Sequence, residues 1–160
     1  MAKGQKIKWR ETTGPAENAR LRLPKLAHRY FVEVRQTLAE NPPPPELHPL
    51  RLASKHFRYT LELFRPCYAA GLEERIEALK QVQDLLGECN DAVSSLPAIE
   101  KAAGRNRTEK KCLRKHFEEL AEQKAAAFRK HWTGTFDAEG REEWWTGYLA
   151  RGARPPAKGK

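Results

Sequence analysis

A chain of 160 residues with a formal net charge of +9 and three cysteines fits one domain with a substantial hydrophobic core and favours an anionic partner. The cysteines, Cys67, Cys89 and Cys112, form no close pair, which argues against a disulfide framework or a zinc site and is typical of a reducing compartment. No segment approaches the roughly 18 apolar residues of a membrane span, and no apolar run follows the basic start as in a secretory signal. The sequence therefore predicts a soluble, cytoplasmic protein.

The positive charge is concentrated in two parts of the chain. Residues 1–60 hold 12 Lys and Arg against 5 Asp and Glu, whereas residues 61–100 hold 3 against 8. Residues 101–160 are basic again, with 15 against 8. The basic excess is therefore segmental, and the first block contains the charged row described below.

The first part of the chain is predicted to form two helices joined by a proline-rich connector. Residues 1–14 are expected to be flexible, and a first helix runs over residues 15–40, where Pro24 marks either a kink or the start of the regular helix. The NPPPP segment at residues 41–45 predicts a stiff, extended connector. A second helix covers residues 46–65 and ends before the next proline.

The middle of the chain is predicted to form two further helices. Apolar residues at helical spacing predict a third helix over residues 72–86, and Gly87 is expected to stop it. Asn90 and Asp91 are candidates to cap a fourth helix over residues 91–103.

The last part of the chain holds a long helix and a C-terminal segment. A fifth helix covers residues 107–132, residues 133–150 hold a short helix whose aromatic side chains pack on the body, and residues 151–160 form a disordered basic tail. Alternating strand patterns are absent and the connections are short. The sequence therefore predicts an all-α, antiparallel bundle of four to five helices over residues 15–132.

The second predicted helix has two different faces at about 100° per residue. Its apolar face consists of Leu50, Phe57, Leu61 and Phe64. Its cationic face consists of His48, Arg51, Lys55 and Arg58. Repulsion along such a row costs stability unless an anion lies against it, and cations near a helix N-terminus also oppose the macrodipole. Cationic side chains beside free backbone N–H groups are typical of a phosphate site; a solvated face with an ordinary Arg58–Glu62 pair is the alternative interpretation.

The first helix carries a second set of cations, which are Arg22, Lys25 and Arg29, with Arg35 near the same side. If the first two helices are antiparallel neighbours, the two rows can flank one groove. A groove with many cations and no carboxylate cluster suits a repetitive polyanion better than a single small substrate.

The sequence lacks the patterns of phosphate-processing enzymes. It has no Gly-rich phosphate loop, no clustered acids that would hold Mg²⁺, and no cysteine in a known nucleophile pattern. His116 and His131 are interpreted as surface residues. We therefore predict no catalytic residue, no metal site and no cofactor.

Two motifs and one helix resemble a known family. The motifs are HPLRLASKHFRYTLELF at residues 48–64 and QVQDLLGECNDA at residues 81–92, and the preceding helix, RLRLPKLAHRYFVEVR, carries similarly spaced basic residues. Over residues 15–132 the chain resembles the conserved histidine α-helical domain, or CHAD, family. The usual family member has two pseudo-symmetric bundles, and this chain resembles the second.

The resemblance implies an all-helical domain that binds inorganic polyphosphate in a basic groove, often beside a CYTH triphosphatase domain, without an established catalytic activity of its own. By this likeness phosphates would be contacted by His48, Arg51, Lys55 and Arg58, with Arg22, Lys25 and Arg29 as additions. The polar residues of the second motif are expected to cap and orient a turn; they are Gln83, Asp84, Asn90 and Asp91. Pro49 departs from the family pattern and restricts the backbone at His48.

These observations lead to a set of expected partners and locations. We expect inorganic polyphosphate as the ligand, a cytoplasmic location associated with polyphosphate granules, no membrane partner, and a homodimer that supplies a second basic wall. One alternative is a nucleic-acid-binding helical protein, against which stands the lack of a recognition-helix pattern or an exposed aromatic platform in the basic segment. Another is an accessory subunit of a triphosphatase that docks through the acidic third helix.

Overall fold

The computed structural model describes residues 8–157, which form α-helices joined by short turns. Five α-helices follow one another along this part of the chain: α1 (Pro15–Ala39), α2 (His48–Leu63), α3 (Gly71–Ala102), α4 (Arg107–His131) and α5 (Arg141–Arg151). Short 3-10 turns lie on either side of α2, at Pro44–Leu47 and Arg65–Cys67, and a π-helical turn follows α4 at Trp132–Phe136. The described residues contain no β-strand, so the predicted all-α bundle is confirmed.

Helix α1 is continuous through Pro24. Its regular part begins at Pro15, so Pro24 does not mark the start of the helix. The residues around the proline form an unbroken buried stripe, which includes Ala19, Leu23, Ala27, Phe31 and Val34. The free energy gained by burying this stripe offsets the loss of the one backbone hydrogen bond that a proline removes inside a helix.

The predicted third and fourth helices are a single helix. Helix α3 continues through Gly87 and Asn90, so the predicted stop and the predicted N-cap are both wrong. Val82, Leu86 and Cys89 are buried and form an apolar stripe that crosses the glycine. Burying this stripe outweighs the ~1 kcal/mol that a glycine costs inside a helix, and that packing is invisible to local stop and start signals.

The proline-rich connector is extended only in part. Pro43 has extended backbone angles, but a 3-10 turn begins at Pro44. Pro42 and Pro44 are buried, and Arg129 of α4 donates a hydrogen bond to the Pro42 carbonyl. The prediction of an extended connector is therefore wrong for its second half, because packing against α4 turns the chain there.

The centre of the core fixes the rotation of α2 about its own axis. The Phe57 ring lies 5.1 Å from the Tyr30 ring and 5.6 Å from the Trp145 ring, centroid to centroid. The Tyr30 hydroxyl donates to Ser54 Oγ at 2.6 Å, and Ser54 Oγ donates to the Leu50 carbonyl at 2.7 Å. These contacts hold the apolar face of α2 inward and its cationic face toward solvent.

A buried arginine attaches α5 to α3. The guanidinium carbon of Arg75 lies 3.4 Å from the ring centre of Trp144 and 3.9 Å from that of Tyr148. The guanidinium donates hydrogen bonds to the carbonyls of Gly71 at 2.7 Å and Trp144 at 2.5 Å. Burial lowers the pKa of Arg75 to about 10, so the group keeps its charge at neutral pH.

Segments predicted to be flexible at both ends of the chain make specific contacts. The Asn18 side chain accepts a hydrogen bond from the Arg10 amide at 2.9 Å and donates to its carbonyl at 3.0 Å. Ala153 is fully buried, and the Arg154 amide donates to the Cys67 carbonyl at 2.7 Å. The inner parts of the predicted flexible segment (1–14) and of the predicted disordered tail (151–160) are therefore tied to the bundle by hydrogen bonds of Arg10 and Arg154. Residues 1–7 and 158–160 lie outside the described residues.

Candidate anion-binding surface

The four cations of α2 lie on the outer part of the helix, as its periodicity predicts. His48 and Lys55 are exposed, whereas Arg51 and Arg58 are half-buried. The opposite face is buried as predicted and consists of Leu50, Phe57, Leu61 and Phe64. The row extends over eleven residues of helix, or about 15 Å, which is long enough to contact several anionic groups in line.

The row borders a cleft between α2 and α3. The cleft has a volume of about 490 Å³, and its lining residues are Arg51, Arg58, Lys80, Gln83, Asp84, Gly87, Glu88 and Asp91. Gln83, Asp84 and Asp91 thus line the wall opposite the arginines. The prediction that they cap and orient a turn is wrong, because α3 is continuous at these positions.

His48 is fixed by Asn90, a polar residue of the second motif. Its Nδ1 donates a hydrogen bond to Asn90 Oδ1 at 2.8 Å. The backbone of His48 is α-helical in spite of Pro49, because both residues belong to the start of α2, where a proline is tolerated. With Nδ1 carrying its proton, Nε2 accepts hydrogen bonds in the neutral ring and donates one only in the imidazolium form.

The cations of the row have few partners in the chain. Among the ion pairs of residues 8–157, none involves Arg51 or Lys55, and Arg58 Nε lies 3.8 Å from Glu62 Oε1, too far for a hydrogen bond. Arg58 Nε is buried without a hydrogen-bond partner. Buried polar groups normally have such a partner, so the Nε donor of Arg58 is unsatisfied.

An exposed tyrosine supports two of the cations. The Tyr59 ring centre lies 5.6 Å from Lys55 Nζ and 4.9 Å from the guanidinium carbon of Arg58. Cation–π contacts at these distances contribute roughly 0.5–1 kcal/mol each at exposed sites. Tyr59 therefore favours the positions that Lys55 and Arg58 take at the edge of the cleft.

The opposite wall of the cleft is acidic, a feature that sequence reasoning missed. Asp84, Glu88 and Asp91 lie at spacings of four and three along α3 and all line the cleft. Glu88 pairs with Lys124 at 2.6 Å. A polyanion is repelled from this wall, so the favourable path for it runs along the outer edge of α2. Helical spacing alone places the three carboxylates on one face, but only the packing places that face beside the basic row.

The cations of α1 do not join this cleft. Lys25 and Arg29 are exposed and Arg22 is half-buried, and none of the three is among the residues that line the space between α2 and α3. Arg35 pairs instead with Asp137 at 2.5 Å and with Glu142 at 2.6 Å. The cleft beside the basic row is thus formed with α3 and not with α1.

Residues 8–157 lack the features of two other kinds of site. No three His, Cys, Asp or Glu residues come together there in a way that could hold a metal ion. No helix in that range combines the length and the apolar character that crossing a bilayer requires.

Comparison with known proteins identifies the family. The sequence profile of the CHAD domain matches residues 5–100, which include α1, α2 and most of α3. Comparisons with curated proteins and with solved structures give no significant match. The matched region holds both motifs and covers more than half of the chain. The chain therefore belongs to the CHAD domain family.

Proposed function

We propose that this chain binds inorganic polyphosphate along the outer edge of α2, through His48, Arg51, Lys55 and Arg58, and that it has no catalytic activity. The observation that carries the proposal is the shortage of counter-ions along the row. Arg51 and Lys55 take part in no ion pair of the described residues, and the Nε of Arg58 lies 3.8 Å from Glu62 and has no hydrogen-bond partner. A linear polyanion supplies the missing negative charge along the row.

The acidic wall of α3 determines which side of the basic row the polymer contacts. Polyphosphate contacts the exposed side of the row, where His48 and Lys55 lie, and the two half-buried arginines reach it from the edge of the cleft. Arg22, Lys25 and Arg29 do not line the cleft and are proposed as contacts only for a polymer that extends onto α1.

Docking of a triphosphatase on the acidic part of α3 is less favoured. Glu73 pairs with Arg65 at 2.7 Å and Glu77 pairs with Lys80 at 3.2 Å. These partners within the chain reduce the charge available to a basic docking surface.

A charge-matched pair of variants tests the proposal. The first carries Arg51→Gln, Lys55→Gln and Arg58→Gln, and the second carries Arg107→Gln, Lys110→Gln and Lys111→Gln on α4, so that both lose three positive charges. Binding of fluorescently labelled long-chain polyphosphate should fall in the α2 variant and persist in the α4 variant. Equal losses in both variants would mean that polyphosphate responds to net charge alone, which contradicts a site on α2.

We also propose that a second copy of the chain supplies the wall that one bundle lacks. The basic row borders solvent on its outer side, where each phosphate contact is screened and contributes little. Two rows on either side of one polymer exclude water and strengthen each contact. The proposed location, on polyphosphate granules in the cytoplasm, follows from the ligand.

A further inference from the structure

The ends of α3 and α4 that meet at residues 103–106 form an arm. No residue from 93 to 120 is buried, and the last buried residue of α3 and the first of α4 are Ala92 and Ala121. The apolar side chains within the arm, such as Leu113 and Phe117, are half-buried. The two helix ends therefore pack against each other and project about 15 Å beyond the core.

The tip of this arm carries much of the positive charge of the protein. Residues 101–115 contain seven Lys and Arg and one Glu, a net charge of +6 in a chain whose total is +9. Two of the seven have partners, since Arg114 pairs with Glu100 at 2.6 Å and Lys115 with Glu119 at 3.8 Å. No ion pair of the described residues involves the other five, which are Lys101, Arg105, Arg107, Lys110 and Lys111.

The unpaired cations of α4 lie at an electrostatically unfavourable place. Arg107, Lys110 and Lys111 belong to the first turns of the helix, where the macrodipole is positive and favours anions. Asn106 Oδ1 accepts hydrogen bonds from the backbone amides of Thr108 at 3.1 Å and Glu109 at 3.2 Å. This neutral side chain caps the helix without adding negative charge. Both the cationic side chains and the positive end of the helix macrodipole therefore attract an external anion to this place.

The shape of the tip selects among polyanions. At about 100° per residue the cations of the first two turns cover roughly 140° of the circumference of α4, and this arc avoids the side that Leu113 and Phe117 turn toward α3. A thin, linear polymer meets only one line of such a convex surface. The major groove of duplex DNA is ~12 Å wide and admits an α-helix, with phosphates on both sides of it.

We propose that the tip of the α3–α4 arm is a second, separate site and that it binds the phosphate backbone of duplex DNA without reading its sequence. The tip lies beyond the region that the family profile matches, which ends at residue 100. It is separate from the row on α2, and residues 101–115 include no Phe, Tyr or Trp for stacking on single strands. Duplex RNA fits less well, because its major groove is deep and narrow.

The α2 and α4 triple variants described above test this proposal with the opposite expectation. Anisotropy of a labelled DNA duplex of about 20 base pairs, titrated at several salt concentrations, gives the affinity and its salt slope. The α4 variant should bind at least about tenfold more weakly at 0.1 M salt, with a log–log slope less negative by about 2.7 after the loss of three phosphate contacts. The α2 variant should stay within about threefold of the wild type, since distant charges are screened.

A single native thiol locates the contact. Cys112 is exposed on the arm, whereas Cys67 and Cys89 are buried, and burial raises the pKa of both of their thiols. A dye attached at Cys112 should respond to the DNA duplex and not to polyphosphate bound at α2.

Three outcomes would overturn the proposal: equal losses of DNA affinity in the two variants, an unchanged α4 variant, or tighter binding of duplex RNA or anionic lipid vesicles than of DNA. Each is distinguishable from failure of the polyphosphate site, which is measured separately in the α2 variant. Thermal melting of both variants checks that the bundle stays folded.

Discussion

His48, the first cation of the α2 row, donates its Nδ1 proton to Asn90 Oδ1 of α3 at 2.8 Å. This bond joins the two motifs through residues that are 42 positions apart in the chain, and it fixes which ring nitrogen points away from α3. The free nitrogen, Nε2, donates a hydrogen bond to a phosphate only when the ring is protonated. The relationship makes the protonation state of one histidine part of the proposed binding site.

Polyphosphate binding should therefore weaken as pH rises from 6 to 8. Histidine changes charge in this range, and the internal groups of the polymer stay ionised, so the imidazolium contributes at low pH and the contribution is lost as the proton leaves. With one histidine involved, log K should fall by at most about one unit per pH unit. Titrations of the wild type, of His48→Gln and of the control His56→Gln measure the effect.

The pH dependence should disappear in His48→Gln and remain in His56→Gln, because His56 lies on another side of α2. An equal pH dependence in all three proteins would mean that His48 does not cause it and has only a structural role through its bond to Asn90.

Binding should depend steeply on salt and on the length of the polymer. If about 4–6 phosphates are contacted, log K should fall with log salt at a slope near −3 to −5, by analogy with nucleic acids. Pyrophosphate cannot span a row about 15 Å long and should bind far more weakly. Calorimetric titrations with both ligands compare them, and equal affinities would contradict a linear site.

Substitutions on the two faces of α2 should have different effects. Arg51→Ala, Lys55→Ala and Arg58→Ala should each weaken polyphosphate binding, by up to about 1.5–3 kcal/mol where the contact is desolvated, and leave the melting temperature nearly unchanged. Phe57→Ala should cost about 3–5 kcal/mol of folding stability, because the ring is buried among Tyr30 and Trp145. Comparable losses of stability in Arg58→Ala and Phe57→Ala would contradict this division.

The stability of the α1–α5 contact should depend on pH through Glu142. Burial by itself raises the pKa of Glu142, but hydrogen bonds from His28 and Arg35 outweigh it and hold that pKa below its usual value. A lowered folded-state pKa means that the stabilisation is present at neutral pH and is lost as pH falls through that value. Glu142→Gln should thus lower stability at pH 7 by about 1 kcal/mol, a modest amount because His28 and Arg35 are largely exposed.

Melting curves of the wild type and Glu142→Gln between pH 7 and pH 3 measure this linkage. The two curves should converge at the acid end, and a constant difference across the range would assign the loss to packing instead of charge.

Long-chain polyphosphate should promote dimerisation. Like-charged rows repel each other in the free protein, so self-association should be weak without the polymer and should strengthen with it. Leu52 and Leu63, which are 50% and 76% exposed on α2, offer apolar contact area beside the row. Sedimentation velocity with and without polymer distinguishes the cases, and a protein that stays monomeric at saturation, with one chain per site, would contradict the proposed second wall.

The sequence alone determined the helical architecture and the composition of the basic row. Apolar residues at helical spacing in α2 predicted both of its faces correctly, because a helix maps sequence separation onto angle in a fixed way. The same periodicity, with the two motifs, was sufficient to recognise the family. Proline and glycine signals were less informative, since Gly87 and Pro24 lie inside helices whose buried stripes outweigh local preference.

Only the tertiary structure decided what lies beside each row of charge. The partner of the α2 row could have been α1 or α3, and the packing of both helices on a common core brought Asp84, Glu88 and Asp91 of α3 to the cleft and directed Arg35 of α1 toward α5. Likewise, the basic segment at residues 101–115 became a projecting tip because no residue between Ala92 and Ala121 is buried in the core. Periodicity gives the direction of a side chain from its own helix axis, whereas the charge that it meets depends on contacts between helices distant in the chain.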